Sequence, residues 1–278
     1  MKPSPPNAFQ IFVAYCRVSL FTDQTGKTIR LDQPPCRIVS LVPSQTELLF
    51  DLGLEQEVVG ITKFCIHPAS WHQAKVRVGG TKQVDLPLVR NLQPDLIIAN
   101  KEENVREQVQ ELERTCPVWT SDVSDLQGAL NMIRTLGQIT RKQNTADDLI
   151  GTLQQAFADL PTPTTKRRAL YLIWREPWMT VGGDTFIHDM LERAGFANCF
   201  AGQNRYPVID DAQIQKAGPE VVLLSSEPYP FREKHLSELS ALLPGVAIHL
   251  VNGEPFSWYG SRMRLSPDYF RSLQRLFG

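Results

Sequence analysis

The feature of this sequence that most constrains its fold is a segment that occurs twice. "DLPLVRNLQPDLIIAN" (85–100) and "DDAQIQKAGPEVVLLS" (210–225) share one frame: an aspartate, an apolar residue four positions on, a proline nine positions on, then an acid and a branched apolar run. Each copy predicts a capped short helix, a turn set by proline and a buried parallel strand. The repeat therefore predicts two similar α/β units, one in each half of the chain.

A second pair of segments supports this duplication. "SQTELLFDLG" (44–53) and "DTFIHDMLERAG" (184–195) each predict a polar cap, an amphipathic helix and a glycine stop, and Ser44 to Glu47 has the spacing of a capping box. Between the halves, "RKQNTADDLIGTLQQAFADLP" (141–161) has the apolar spacing of one continuous helix face. About 20 residues at 1.5 Å each make a rod of about 30 Å that would join the halves rigidly.

These patterns predict an α/β fold with two Rossmann-like lobes, each with a mostly parallel sheet, joined by a long backbone helix. An N-terminal β-hairpin extension precedes them, because the apolar run Ile11 to Cys16 and then "TDQTGKTIRL" predict two strands around a turn at Gly26. The predicted boundaries are 1–36 for the extension, 37–139 for the first lobe, 140–162 for the helix and 163–278 for the second lobe.

Composition excludes several classes of partner. Lys plus Arg is 29 and Asp plus Glu is 30, which gives a net charge of −1 and no basic surface suited to nucleic acid. No stretch has membrane-spanning length. The five cysteines are scattered without a CxxC spacing, which favours reduced thiols. The run Ile11 to Cys16 is too short for a signal core and Arg17 follows it, so we predict a cytoplasmic protein rather than an exported one.

The motifs "RIVSLVPSQTELLFDLG", "VVGITKF", "LQPDLIIAN", "WREPWMTVGGDTFIHDMLERAG" and "SWYGSR" resemble those of a known family. It comprises the substrate-binding proteins of ABC importers for vitamin B12, ferric siderophores and haem, and the similarity is greatest to its B12-binding members. The resemblance implies a non-catalytic protein that binds a corrinoid (cobalamin-like) or another large metal chelate between two lobes. A ferric-siderophore or haem receptor that is periplasmic or lipid-anchored, with an atypical signal, is the alternative.

In open α/β sheets a ligand binds outside the carboxyl ends of the strands, so the residues after each strand are the predicted contacts. Aromatic faces suit a flat chelate, and a few polar groups suit its rim. The aromatic candidates are Phe64, Trp174, Trp178, Tyr206, Phe256, Trp258 and Tyr259. The polar candidates are Ser44, Lys82, Glu102, Glu103, Arg175 and Arg262. Phe64, Trp174 and Tyr206 match aromatic contacts of the B12-binding members, whereas Thr81 or Lys82 stands where those members have a tryptophan.

Three further interpretations remain open. His67 is a candidate ligand for the metal of a chelate, with a hydrogen-bonded loop histidine as the structural alternative. Glu102 and Glu103 are either ligand contacts or acids that favour the start of a helix. An enzyme of corrinoid or metal-cofactor handling would use Cys65 and His67 with that glutamate pair.

The resemblance does not extend to permease docking. Importer-bound members carry docking glutamates in the first turn of one helix of each lobe, and Pro87 and Ala212 stand at those positions here. This departure also favours the cytoplasmic prediction.

Overall fold

The computed structural model describes residues 18–277. The elements of the first half are β1 (Ser19–Thr22), β2 (Thr28–Leu31), β3 (Ile38–Ser40), α1 (Pro43–Asp51), β4 (Val58–Ile61), α2 (Ala69–Ala74), β5 (Val76–Arg77), α3 (Leu86–Asn91), β6 (Leu96–Asn100), α4 (Arg106–Glu113), β7 (Val118–Ser121), α5 (Leu126–Ile139) and α6 (Gln143–Ala158). Those of the second half are β8 (Arg167–Leu172), β9 (Trp178–Met179), α7 (Phe186–Arg193), β10 (Phe196–Asn198), β11 (Val208–Ile209), α8 (Asp211–Ala217), β12 (Val221–Ser225), α9 (Glu233–Leu242), β13 (Ala247–Val251), α10 (Glu254–Ser257), a 3₁₀ helix (Ser261–Leu265) and α11 (Ser266–Phe277).

Two separate parallel sheets form the two lobes. The first has the strand order β5-β4-β3-β6-β7 and the second has the order β10-β8-β12-β13. The two copies of the repeated segment become α3–β6 and α8–β12, and all five residues of both β6 and β12 are buried. The predicted two-lobed α/β fold is therefore confirmed.

The start of the described chain forms a short antiparallel hairpin, β1–β2. Its turn contains Gly26 at φ +89°, a conformation that side chains with a Cβ rarely adopt. Gln24 attaches the hairpin to the first lobe, because its backbone N–H donates to the Thr120 carbonyl at 3.1 Å. The predicted hairpin is confirmed for Ser19–Leu31, whereas the run Ile11 to Cys16 lies outside the described residues.

Helix caps explain where the repeated helices begin. The Asp85 carboxylate accepts from the N–H of Leu88 at 3.0 Å, and the Asp210 carboxylate accepts from that of Gln213 at 2.8 Å, as the repeat predicts. The capping box predicted at Ser44 is wrong. The N-cap is Val42, two residues before Ser44, and helix α1 begins at Pro43, which suits the first position because it has no N–H to satisfy.

A single helix, α6, connects the lobes as predicted, after a turn that separates it from α5. Helix α5 ends at Ile139, the chain turns at Arg141 with φ +57°, and α6 leads toward the second sheet. With 16 residues, α6 is about 24 Å long, shorter than the sequence predicts. The domain boundaries drawn from the sequence stay a prediction.

One apolar core is shared by both lobes. Buried residues from the inner faces of both sheets and from α5, α6 and α11 belong to one contiguous cluster, which includes Ile98, Ile133, Leu153, Leu223 and Phe270. Two smaller clusters cover the outer faces of the sheets, one under α3 and α4 and the other under α8 and α9. The shared core fixes the lobes relative to each other.

Candidate ligand-binding face between the two lobes

The loops that follow β4 and β6 in the first lobe contact two segments of the second lobe. We call these four segments the inter-lobe face; they comprise residues 64–67, 101–104, 205–206 and 254–262. His67 Nε2 lies 3.3 Å from Glu254 Oε1, and the Tyr206 hydroxyl donates to Glu102 Oε2 at 2.6 Å. The face lies at the carboxyl ends of the strands, where the sheet topology predicts a ligand site.

Glu102 is held at the centre of these contacts. Asn100 Oδ1 accepts from the backbone N–H groups of Glu102 and Glu103 at 2.8 and 2.9 Å, which turns the chain directly after β6. The Arg205 guanidinium of the second lobe pairs with the Glu102 carboxylate. Lys82 Nζ donates to the Glu102 carbonyl at 2.5 Å. Because α4 begins only at Arg106, the interpretation of these acids as residues of a helix N-terminus is wrong.

Two neighbouring aromatic residues bind carboxyl groups of different lobes. The Tyr259 hydroxyl donates to Glu103 Oε1 of the first lobe at 3.3 Å, and Trp258 Nε1 donates to Glu227 Oε1 of the second lobe at 2.9 Å. Burial raises the pKa of Glu103 to about 7, and burial likewise raises the pKa of Glu227. Sequence reasoning missed Glu227. The repeat contained the signal, because Glu102 and Glu227 each stand two residues after their equivalent strands.

Arg262 links the lobes through two acids. Its guanidinium donates to both carboxylate oxygens of Glu47 in α1, at 2.7 and 2.8 Å, and to Glu254 at 2.8 Å. Nearby, Gly260 has φ +118°, and a Cβ at this position would lie 3.1 Å from the Ser44 carbonyl oxygen. Arg262, which we predicted to contact the rim of a ligand, therefore forms an ion-pair network between the lobes in this structure.

Comparison with known proteins agrees with this architecture. The model of the family described as "Periplasmic binding protein" matches residues 38–241. The chain belongs to the periplasmic binding protein family. An uncharacterised ABC transporter substrate-binding lipoprotein of Bacillus subtilis, YvrC, is 24% identical over 213 residues, 72% of this chain and 67% of that protein. The vitamin B12-binding protein of Vibrio campbellii is 28% identical over 200 residues, 69% of this chain and 71% of that protein.

Solved structures show the same fold at low identity. The periplasmic vitamin B12 binding protein BtuF of Vibrio cholerae superposes with a TM-score of 0.72 at 21% identity, over 87% of this chain and 98% of that chain. The periplasmic haem-binding protein HutB of the same species gives 0.71 at 23% identity over the same shares. Family membership confirms the prediction of a binding protein rather than an enzyme.

The predicted cytoplasmic location is wrong. The family is one of periplasmic binding proteins, and the similar proteins include a lipoprotein and periplasmic receptors. The prediction rested on a short N-terminal run and on Pro87 and Ala212. These are local features, whereas the family match extends over residues 38–241. Within residues 18–277, no helix combines the length and apolar character needed to cross a bilayer.

Three of the predicted contacts serve the protein's own packing. Phe256 is fully buried, with its ring centroid 5.2 Å from that of Tyr171. Trp178 stacks on Phe231 at 6.3 Å and belongs to the core on the outer side of the second sheet. Arg175 pairs with Glu238 and lies over the Trp178 ring at 4.1 Å. Core packing engages Phe256 and Trp178 and an ion pair engages Arg175, so each side chain has a structural role, and contact of these residues with a ligand stays a prediction.

Two aromatic candidates are available to a ligand. Phe64 is 51% exposed and Trp174 is 40% exposed, and they follow β4 in the first lobe and β8 in the second. Trp174 makes an edge contact with Tyr229, with ring centroids 5.5 Å apart. Trp258 and Tyr259 also belong to the inter-lobe face, but they are buried, with only 8% and 7% of their surface exposed. Ser44 is buried at the start of α1, and its hydroxyl has no hydrogen-bond partner among the described residues.

The structure disfavours the enzymatic alternative. Cys65 is fully buried, burial raises the pKa of its thiol to about 11, and its sulfur contacts the hydroxyls of Thr46 and Thr62. His67 packs its ring edge-on against Trp258 with centroids 5.4 Å apart. In the described part of the chain, no three His, Cys, Asp or Glu side chains are grouped to hold a metal ion. A role for His67 as a single ligand to the metal of a bound chelate stays a prediction.

A cavity of about 330 Å³ lies away from this face. It is lined by Val89 of α3, by Pro94 and Ile97 at the amino end of β6, and by Leu112 and Cys116 at the end of α4 and just after it. Because the inter-lobe face lies at the carboxyl end of β6, this cavity is not part of it.

Proposed function

We propose that the protein binds a corrinoid such as cobalamin at the inter-lobe face and delivers it to an ABC importer. The observation that carries this proposal is the pair of exposed aromatic side chains, Phe64 and Trp174, presented from opposite lobes after β4 and after β8. A flat macrocycle needs apolar faces on two sides, and exposed rings from two lobes supply them. The similarity to vitamin B12-binding proteins supports the corrin over other chelates.

The polar part of the face supports an amide-bearing ligand. Glu102, Glu103 and Tyr206 carry hydrogen-bonding oxygens, and Lys82 adds a cation beside them. In this structure Glu102 bonds Tyr206 and Glu103 bonds Tyr259 across the lobes, whereas Lys82 bonds Glu102 within the first lobe. A ligand therefore binds by replacing contacts such as Tyr206 to Glu102, and those released groups then bind its rim.

Delivery to an importer is the second part of this proposal. Pro87 and Ala212 are exposed in the first turns of α3 and α8, and the neighbouring Asp85 and Asp210 already cap those helices. The similarity to an ABC transporter substrate-binding lipoprotein supports docking despite these residues. Stimulation of an importer's ATPase by the loaded protein tests this part separately.

An absorbance titration with cyanocobalamin, haem and a ferric hydroxamate siderophore tests the choice of ligand. We expect saturable binding of cyanocobalamin, and we expect Trp174→Ala and Phe64→Ala each to weaken it by about tenfold, the range of one lost aromatic contact. Phe50→Ala is the matched control. Phe50 is 37% exposed but lies at the far end of α1, away from the carboxyl ends of the strands. Binding of haem or the siderophore alone would contradict the corrinoid proposal.

A further inference from the structure

Glu103 and Glu227 come from opposite lobes, and their carboxyl groups accept hydrogen bonds from two residues that are adjacent in the sequence, Tyr259 and Trp258. Glu103 follows β6 and accepts from Tyr259, while Glu227 follows β12 and accepts from Trp258. The Ser257 hydroxyl also donates to Glu227. A group bound beside Trp258 and Tyr259 thus meets a carboxyl from each lobe.

Neither carboxyl has a cationic partner among the residues that the structure describes. The other acids of the face are paired, Glu102 with Arg205 and both Glu47 and Glu254 with Arg262. Within residues 18–277, Glu103 and Glu227 form no ion pair and bind only neutral donors. The charged or titratable groups that act on Glu103 are Tyr259, Glu227 and Lys82, and Glu103 in turn raises the pKa values of Tyr206 and Cys65. Those that act on Glu227 are Glu254 and Arg262, and Glu227 in turn raises the pKa of Tyr171.

An unused acceptor lies at the same place. Gln45 is fully buried in α1, its amide nitrogen donates to Ser121 Oγ at 2.5 Å, and both side chains lie against the Tyr259 hydroxyl. Gln45 Oε1 has no hydrogen-bond partner in the described chain. Since buried polar atoms are normally satisfied, an unpartnered oxygen against Tyr259, the residue that donates to Glu103, points to a hydrogen-bond donor supplied by a ligand.

We propose that Glu103 and Glu227 make the site selective for a chelate with primary amides on its rim and exclude the same chelate bearing carboxylates there. The inference rests on the proposed function. An amide offers an N–H donor and a carbonyl acceptor, so it satisfies either protonation state of a carboxyl. A carboxylate only accepts, so it binds beside Glu103 or Glu227 only when that carboxyl carries a proton.

The experiment compares cyanocobalamin with its monocarboxylic acids, in which one propionamide is hydrolysed, each isomer titrated separately at pH 6 and pH 8. The affinity for cyanocobalamin should stay nearly constant. The isomer whose carboxylate faces Glu103 should bind about tenfold more weakly at pH 8, because a carboxyl with a pKa of about 7 loses its proton over this interval.

Two variants test which carboxyl group causes this loss of affinity. Glu103→Gln should let that isomer bind as tightly at pH 8 as at pH 6, because the glutamine amide donates at both pH values. Glu227→Gln should strengthen the binding of an isomer whose carboxylate faces the second lobe, because the glutamine amide donates a hydrogen bond that an ionised glutamate cannot. Glu107→Gln, an exposed glutamate in the first turn of α4, is the matched control and should leave the tenfold loss unchanged.

The outcomes separate this inference from the function on which it rests. Failure of cyanocobalamin to bind at either pH would overturn both. Binding of cyanocobalamin together with equal affinity for every isomer at pH 6 and pH 8 would overturn the selectivity alone. A loss at pH 8 that persists in both Glu103→Gln and Glu227→Gln would also overturn it.

Discussion

An arginine–glutamate ion pair joins the lobes at each end of the inter-lobe face, but the two pairs differ in their exposure to water. At the buried end, Arg262 pairs with Glu47 and Glu254, and the Arg262 and Glu47 side chains are 14% and 13% exposed. At the open end, Arg205 pairs with Glu102, and these side chains are 43% and 25% exposed. Water competes with the second pair far more than with the first. We therefore expect the buried ion pair to hold the lobes together more firmly than the open one.

The largest expected effect separates core aromatic residues from exposed ones. Phe256→Ala should lower the free energy of unfolding by about 3–5 kcal/mol, because it opens a cavity under α10 and α11. Trp174→Ala should lower it by less than about 1 kcal/mol. Urea unfolding monitored by circular dichroism measures both values. A Phe256→Ala protein that keeps its stability but fails to bind ligand would show that Phe256 acts in ligand binding rather than in the core.

The next effect compares the two arginines directly. Arg262→Met should lower the free energy of unfolding by about 3 kcal/mol, because it leaves the mostly buried Glu47 and Glu254 without their shared cation. Arg205→Met should lower it by less than about 1 kcal/mol, because its ion pair is largely solvated. The same urea experiment applies. Equal losses in the two variants would show that the two ends of the face do not differ.

The smallest effect concerns the pH dependence of stability. Glu103 has a pKa of about 7 in the folded protein against an ordinary value of 4.5, so the native state binds more protons between these values. Stability from this group is therefore present at acid pH and falls as pH rises toward 7. Glu103→Gln should reduce the loss of unfolding free energy between acid pH and pH 7 by about 1–2 kcal/mol. This is less than the full pKa shift of Glu103 implies, because the carboxyl is partly exposed.

Urea unfolding at pH 5, 6, 7 and 8 checks this prediction. The exposed Glu107→Gln is again the control and should retain the wild-type slope. An identical slope in wild type and Glu103→Gln would mean that another group titrates.

Prediction from the sequence succeeded where the signal was local. The aspartate caps at Asp85 and Asp210 and the strands β6 and β12 follow from residue types at fixed spacing. It failed where a side chain's role depends on distant partners. Phe256 and Trp258 are two residues apart, yet one packs in the core and the other binds Glu227 from the inter-lobe face.

The sequence by itself determined the two α/β lobes, because repeated caps, helices and buried strands are set by neighbours along the chain. Only the tertiary structure decided which acids of the inter-lobe face are paired with arginine and which are not. Arg262 lies 215 positions from Glu47, and Tyr259 lies 156 from Glu103. Contacts at such separations depend on how the lobes pack, and packing leaves no periodic trace in the sequence.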